Sequence, residues 1–131
     1  MSLTQTSFMN VAGTMKVITA SWTSETSGSF TSAVITGCSG MYLMQARTAP
    51  GNCAPTSNYD ITIKDADGVD AAGGLIANRS ATAAETIFPA QVSRPIDSDL
   101  TLAISGNIVD RANGTVKLYF SATPVAIVVA A

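Results

Sequence analysis

The chain is 131 residues long, 47% hydrophobic and only 12% charged, with a formal net charge of −2 at neutral pH. A chain of this length folds as one domain with a core of its own. Its Lys and Arg residues are scattered, without a basic run or interleaved aromatic residues, which argues against binding to nucleic acid. The small charged share, with Ala, Thr, Ser and Gly in its place, favours a surface partly covered by other subunits over a compact monomer.

Short segments rich in Val, Ile, Thr, Tyr and Phe alternate with turn residues along the chain, which predicts antiparallel β structure. Such strands in one chain are most economically arranged as a β-sandwich or jelly roll, with a small barrel as the second choice. We expect an all-β single domain over residues 1–131, with its core over about 15–123 and candidate arms at 1–12 and 124–131. The predicted strands are 15–24, 29–36, 42–47, 59–64, 86–89, 100–105 and 116–122, with weaker candidates near Phe8 and at 125–129.

The segment NYDITIKDADGVDAAGG presents a choice between an ion-binding loop and a turn. Asp65, Asp67 and Asp70 offer the oxygen ligands that Ca²⁺ prefers. Their spacing departs from the EF-hand pattern, because Gly68 follows Asp65 too closely and no glutamate stands at the twelfth position. Asp67-Gly68 is instead typical of a tight turn in which aspartates cap backbone amides. We predict a turn without a metal or other cofactor, and leave calcium binding by the three aspartates open.

Two loops and one hairpin are predicted between the strands. TAPGNCAPT, residues 48–56, is expected to connect two sheets or to lie at one end of a sandwich. DAAGGLIANRSATAAE, residues 70–85, favours an extended loop or a bulged edge strand over a single helical turn. In LTLAISGNIVDRANGTVKLYFSA, Asn113-Gly114 is the strongest turn dipeptide, so we expect a hairpin there with Val116, Leu118 and Phe120 on one face.

Membrane insertion and secretion are not expected. No segment reaches the roughly 18 apolar residues of a membrane span, and the N-terminal region lacks the pattern of a signal peptide. We therefore expect synthesis in the cytoplasm, where Cys38 and Cys53 stay free thiols more readily than they form a disulfide.

Few residues offer catalytic chemistry. The sequence contains no histidine, which removes the commonest general base and the commonest transition-metal ligand. Neither a P-loop nor a dinucleotide-binding fingerprint is present. A carboxylate pair for glycoside hydrolysis has candidates, but they stand in turn-like contexts, so we expect no enzyme and no catalytic residue. These candidates are Asp60, Asp65, Asp67, Glu85, Asp97 and Asp99.

Four aromatic residues give a second functional reading. Trp and Tyr rings on an exposed sheet face form a platform on which a sugar can stack. Packing in the core or on a sheet face is favoured, because each ring falls inside a strand pattern. The four are Trp22, Tyr42, Tyr59 and Tyr119.

The segments TAPGNCAPTSNYDITIKDADGVDAAGG, ANRSATAAE, LTLAISG and NGTVKLYF carry a resemblance over about residues 45–121. The chain resembles small structural proteins of tailed-bacteriophage virions. The resemblance implies a capsid decoration or cement protein, or another head-to-tail or tail-associated component, rather than an enzyme. It implies a homo-oligomer, expected to be a trimer, with the major capsid protein or other virion subunits as partners. The virion would be assembled in the host cytoplasm. The alternative function is a tail- or fibre-associated receptor- or carbohydrate-binding module.

Overall fold

The computed structural model describes residues 2–9, 13–30, 32–87 and 94–123. Within these ranges the chain holds no α-helix, only a 3-10 helix at Thr26–Gly28. The expected all-β, antiparallel single-domain fold is confirmed. The strands are β1 Ser2–Met9, β2 Met15–Thr23, β3 Ala33–Ile35, β4 Tyr42–Pro50, β5 Asp60–Lys64, β6 Glu85–Ile87, β7 Arg94–Pro95, β8 Leu100–Ser105 and β9 Asn113–Ser121.

The strands form two antiparallel sheets that share one core. The large sheet has the order β1-β2-β9-β4-β6, with β7 also paired to β4, and the small sheet has the order β3-β8-β5. The alternation predicted for the last strand is confirmed, because Val116, Leu118 and Phe120 of β9 are buried while the residues between them are half-buried on the other face. The arrangement is sandwich-like, and its strand order does not establish a jelly roll.

The predicted C-terminal hairpin is wrong. β8 pairs with β3 and β5 in the small sheet, whereas β9 pairs with β2 and β4 in the large sheet. Asn113 and Gly114 are the first two residues of β9 and do not form a turn between the strands. Residues 106–112 instead carry the chain from one sheet to the other.

Close packing explains why glycine stands at position 114. A Cβ built there would lie 2.7 Å from the carbonyl oxygen of Ala49 and 3.0 Å from Cζ2 of Trp22. The left-handed backbone that a turn needs occurs at Gly106, where φ is 74°. The glycine of the Asn-Gly pair is therefore required by the close approach of neighbouring strands, and not by a hairpin turn.

Several predicted boundaries shift. The strand expected at 29–36 is shortened to Ala33–Ile35, because the 3-10 helix turns the chain before it. β4 extends to Pro50, and the rest of the predicted 48–56 loop leads from the large sheet to the small one, as expected for a connection between sheets. β7 was not predicted, and the strand expected at 86–89 is described only as Glu85–Ile87.

The candidate terminal arms have different outcomes. The range 1–12 is not a free arm over Ser2–Met9, which pairs along its full length with β2 and confirms the weak strand candidate near Phe8. Its backbone pairing with β2 holds this segment at the edge of the large sheet. The range 124–131, with the strand candidate 125–129, lies outside the described residues.

The segment after β5 lines the free edge of that strand. The N–H of Ala71 donates to the carbonyl of Ile63 at 2.8 Å, and the N–H of Ile61 donates to the carbonyl of Ile76 at 3.0 Å. An isolated bridge between Tyr59 and Arg79 continues the pairing. Residues 70–85 are a loop along this edge and contain no helix, but 71–76 are successive turns, so this part of the loop is not extended as predicted.

The side chain of Gln5 joins the two sheets at the other edge of the small sheet, next to β3. The Nε2 of Gln5, on β1, donates to the carbonyl of Thr36 at 2.7 Å, and the N–H of Thr36 donates back to Oε1 at 3.1 Å. Thr36 directly follows β3 of the small sheet. The amide of Gln5 thus takes both backbone groups of Thr36, as a neighbouring strand would.

Candidate functional site

The Asp65 carboxylate stabilises a turn over residues 65–69. Its Oδ1 accepts the N–H groups of Asp67 at 2.9 Å and Val69 at 3.0 Å, and the N–H of Gly68 donates to the carbonyl of Asp65 at 3.0 Å. Gly68 has φ of 79°, which any residue with a Cβ adopts at a cost. The turn predicted at Asp67-Gly68 is confirmed.

The Asp70 carboxylate organises the segment that follows. Its Oδ1 accepts the N–H groups of Ile63 at 3.1 Å and Ala72 at 3.2 Å, and its Oδ2 accepts the N–H of Gly74 at 2.8 Å. Both oxygens therefore bind backbone donors. Among the described residues, no group of three or more Asp, Glu, Cys or His is placed to hold a metal ion.

Two of the other acids also serve the backbone. The Oδ1 of Asp60 accepts the N–H of Asn78 at 2.9 Å. The Oε1 of Glu85 accepts the N–H of Ser80 at 2.6 Å and lies 3.8 Å from Nη1 of Arg79. These carboxylates hold the loop in place along β5.

The thiols are free, as the favoured reading predicted, and Cys38 is buried. Burial raises the pKa of the Cys38 thiol, and the nearby Asp99 carboxylate adds to the rise. Burial also raises the pKa of the Tyr59 hydroxyl to about 12. Both groups are therefore protonated at neutral pH, and neither is an activated nucleophile.

The aromatic platform is not assembled. Trp22 is 1% exposed and Tyr59 is 0% exposed, with their ring centroids 5.7 Å apart in the core. Phe30 meets Trp22 edge-on at 6.0 Å. The packing interpretation is confirmed for these rings, and only Tyr42 and Tyr119 keep partly exposed faces.

A groove of about 280 Å³ lies at one end of the large sheet. The end of β2, the start of β9 and the first residues after β4 form its walls, so most of its side chains are neutral hydroxyl or amide groups. This groove was not predictable from the sequence, because its walls come from three distant segments. The lining residues are Ser21, Trp22, Thr23, Gly51, Asn52, Asn113, Gly114 and Thr115.

The outer face of the large sheet carries two cations side by side. Arg47 of β4 and Lys117 of β9 are direct cross-strand partners, on the face opposite the buried Ala46 and Leu118. The Nζ of Lys117 lies 5.5 Å from the ring centroid of Tyr119. Seventy positions separate the two cations, so only the strand register brings them together.

Neutral residues surround this pair. Thr19 of β2 is the other cross-strand partner of Lys117, and Thr86 of β6 pairs with Arg47 and accepts a hydrogen bond from its Nη1 at 3.2 Å. Ser21 and Thr115 form the next row toward the groove. Among the described positions of β2, β4, β6 and β9 that face outward, none is acidic.

The acids gather at the end of the sandwich where β5 ends and β8 begins. The N–H of Ala66, inside the aspartate turn, donates to Oγ of Ser98 at 3.0 Å. Asp67 therefore lies in a loop that touches the loop of Asp97 and Asp99, and all three are exposed. We call these three residues the acidic end, and Arg47 with Lys117 the basic pair.

Comparison with protein-family models, curated proteins and solved structures finds no match for this chain. In the part of the chain that the structure describes, no helix has the length and apolar character needed to span a membrane.

Proposed function

We propose that the protein is a structural component of a tailed-phage virion, and more specifically a capsid decoration or cement protein. It stabilises the head by binding across neighbouring shell subunits, with no catalytic step. The resemblance over residues 45–121 motivates this proposal. The observation that carries it is the broad outer face of the large sheet, where small hydroxyl-bearing residues such as Thr19, Ser21 and Thr115 lie beside the basic pair.

Such a face suits a wide contact. Several strands present it, and the outer cross-strand neighbours of the basic pair, Thr19 and Thr86, are short, so ordering these two on binding costs little conformational entropy. The carboxylates of Asp60, Asp65, Asp70 and Glu85 accept hydrogen bonds from backbone N–H groups of the chain, which supports a rigid module over a reactive one. A protein with these properties acts by being bound.

The stabilisation follows from mass action. A protein that binds the assembled shell, and not its separate subunits, shifts the equilibrium toward assembly by an amount set by its concentration and affinity. Copies related by a closed cyclic symmetry, for which we propose three, would hold several shell subunits at once. The partners proposed are the major capsid protein or other virion subunits, and the location is the virion.

The test begins with particles purified by density gradient from a culture that produces the virus. Mass spectrometry should find the chain at a fixed copy number per particle, and gold-labelled antibody should mark the head. Label on the tail would favour the neck or tail position instead. Absence from washed particles, with the chain present in the soluble fraction, would overturn the virion proposal.

A tail- or fibre-associated carbohydrate-binding module is the second candidate, and the hydroxyl and amide side chains that line the groove favour it. Neutral hydroxyl and amide side chains such as Ser21, Thr23 and Asn52 suit a polyhydroxy ligand. Saturation-transfer NMR with bacterial surface oligosaccharides should then show contacts that Thr23→Val removes and Thr101→Val, on the other sheet, preserves. Unchanged spectra with all oligosaccharides would count against this candidate.

A further inference from the structure

We propose that the basic pair on the large sheet binds the acidic end of a second copy of this chain, so that copies join head to tail. The proposal rests on the proposed function, because it specifies how a structural oligomer is assembled. It names one occupant for the outer face of the large sheet. The contact is heterologous, since two different surfaces of the chain meet.

The basic pair carries an energetic cost in the isolated chain. Like charges directly opposite each other on neighbouring strands destabilise a sheet. Arg47 gains one hydrogen bond from Thr86, and Lys117 lies near the ring of Tyr119, but neither contact supplies a negative charge. An anionic group placed over the pair would remove the repulsion and use both cations.

The acidic end supplies that group on the same molecule. Asp67, Asp97 and Asp99 are exposed, and the hydrogen bond from Ala66 to Ser98 holds their two loops together. Asp65 and Asp70 accept backbone N–H groups in that region, so the loop that presents Asp67 is fixed before any partner arrives. A rigid cluster of this kind loses little entropy on binding.

The second copy is favoured over nucleic acid because its negative charge is a small cluster at a fixed place on the surface, and not a continuous polyanion. The chain has a net charge of −2, so nucleic acid meets overall repulsion outside this pair. A second copy offers complementary charge on a surface of fixed geometry, and each copy has both halves of the contact. A heterologous contact whose rotation closes gives a ring, and the cyclic oligomer of the proposed function requires such a closure.

The test compares native masses by light scattering after gel filtration, at low and high salt. Wild type should be an oligomer that weakens as salt rises, since surface charges are screened. Arg47→Glu with Lys117→Glu should weaken association at least tenfold, and Asp67→Lys with Asp97→Lys should do the same. The variant that carries all four changes should regain the oligomer, because both surfaces are then reversed.

Arg111→Glu is the matched control, since it reverses the charge of an exposed residue in the loop 106–112 between the two sheets. This loop belongs neither to the basic pair nor to the acidic end. Arg111→Glu should leave the native mass unchanged. Circular dichroism checks that each variant is folded. Wild type that stays monomeric, an oligomer indifferent to both double variants, or no recovery in the fourfold variant would overturn the proposal.

Particle analysis keeps the two proposals apart. A chain found in virions but monomeric in solution, with charge variants that still bind particles, would overturn the head-to-tail contact and leave the proposed function standing. An oligomer that obeys the charge-reversal pattern but is absent from particles would support the contact and overturn the virion role.

Discussion

The rings of Trp22 and Tyr59 pack against each other in the core, with centroids 5.7 Å apart and planes tilted by 51°. Each ring also buries a polar atom. Neither Nε1 of Trp22 nor the hydroxyl of Tyr59 has a hydrogen-bond partner among the residues that the structure describes. A buried donor without a partner costs about 1–3 kcal/mol of folding free energy, so this cluster combines favourable packing with a local penalty.

Replacing Tyr59 with Phe should stabilise the protein. The ring contact with Trp22 is kept, and the unpartnered hydroxyl is removed, so the free energy of unfolding should rise by about 1 kcal/mol. Urea unfolding followed by Trp fluorescence measures the change. Tyr119→Phe, on the half-exposed outer face, is the matched control and should have almost no effect. A loss of stability in Tyr59→Phe would show that the hydroxyl does find a partner.

Stability should fall between pH 10 and pH 12 through Tyr59. Its pKa is about 12 in the folded chain against an ordinary value of 10.0, so the folded state holds the phenolic proton more tightly than the unfolded state does. The associated stability is present below pH 10 and is lost as the pH rises through 12, by up to about 3 kcal/mol. Urea unfolding at a series of pH values should show it.

Other groups titrate in this range, so the informative quantity is the difference from Tyr59→Phe. The variant lacks the Tyr59 proton, and its advantage over wild type should grow steadily above pH 10. Parallel curves for the two proteins would mean that Tyr59 is not responsible.

Gly114→Ala should destabilise the large sheet by about 2 kcal/mol, because the new Cβ would meet the Ala49 carbonyl and the Trp22 ring. Gly68→Ala is a useful comparison, since a Cβ there meets nothing within 4 Å and the cost comes from its φ of 79° alone. We expect about 1 kcal/mol for that change. Thermal unfolding of both variants would test the order, and a milder effect at Gly114 would show that the strands can separate.

Asp70→Ala should cost about 2 kcal/mol, because three backbone N–H groups lose their acceptor. Asp67→Ala should change stability by less than about 0.5 kcal/mol, since the carboxylate of Asp67 is exposed. Thermal unfolding of the two variants measures both changes.

Thermal unfolding curves of wild type, recorded with millimolar calcium and with chelator, should coincide. A rise in Tm with calcium that Asp67→Ala abolishes would identify an ion site in this turn.

Gln5→Ala should loosen the junction between the two sheets. Both hydrogen bonds to Thr36 are lost, at a cost of about 1 kcal/mol. Hydrogen exchange at the Thr36 amide should quicken, because Oε1 of Gln5 no longer protects it. Gln5→Glu keeps an acceptor and loses the donor, so it should retain protection at that amide. Equal exchange in wild type and in Gln5→Ala would refute the role of this side chain.

Alternating patterns allowed most of the strands to be predicted. Residues such as Ile61 and Ile63 on one face of β5, and Leu118 on β9, are buried as a period of two requires. The Asp67-Gly68 turn was also predictable, because the side chains that stabilise it are local in sequence. Asp70, which reaches back to Ile63, belongs to the same short segment.

Pairing between distant strands was not predictable. Asn113-Gly114 has the chemistry of a hairpin turn, yet its glycine is required by the approach of Ala49 and Trp22, which lie far away in sequence. The basic pair depends in the same way on the register between β4 and β9. Local propensity identifies elements, and the contacts that make a surface arise only when those elements are assembled.

The position of β9 has a consequence for synthesis on the ribosome. β9 is the last described strand and lies between β2 and β4, while among the described pairings only β1 with β2 joins strands that are consecutive in the chain. Strands that are far apart in the chain must come together, at a cost in loop entropy, before their pairing stabilises the fold. This cost slows folding. The nascent chain therefore exposes the edges of β2 and β4 until residues 113–121 have emerged. Correct folding requires that no other strand pairs with these edges during that time.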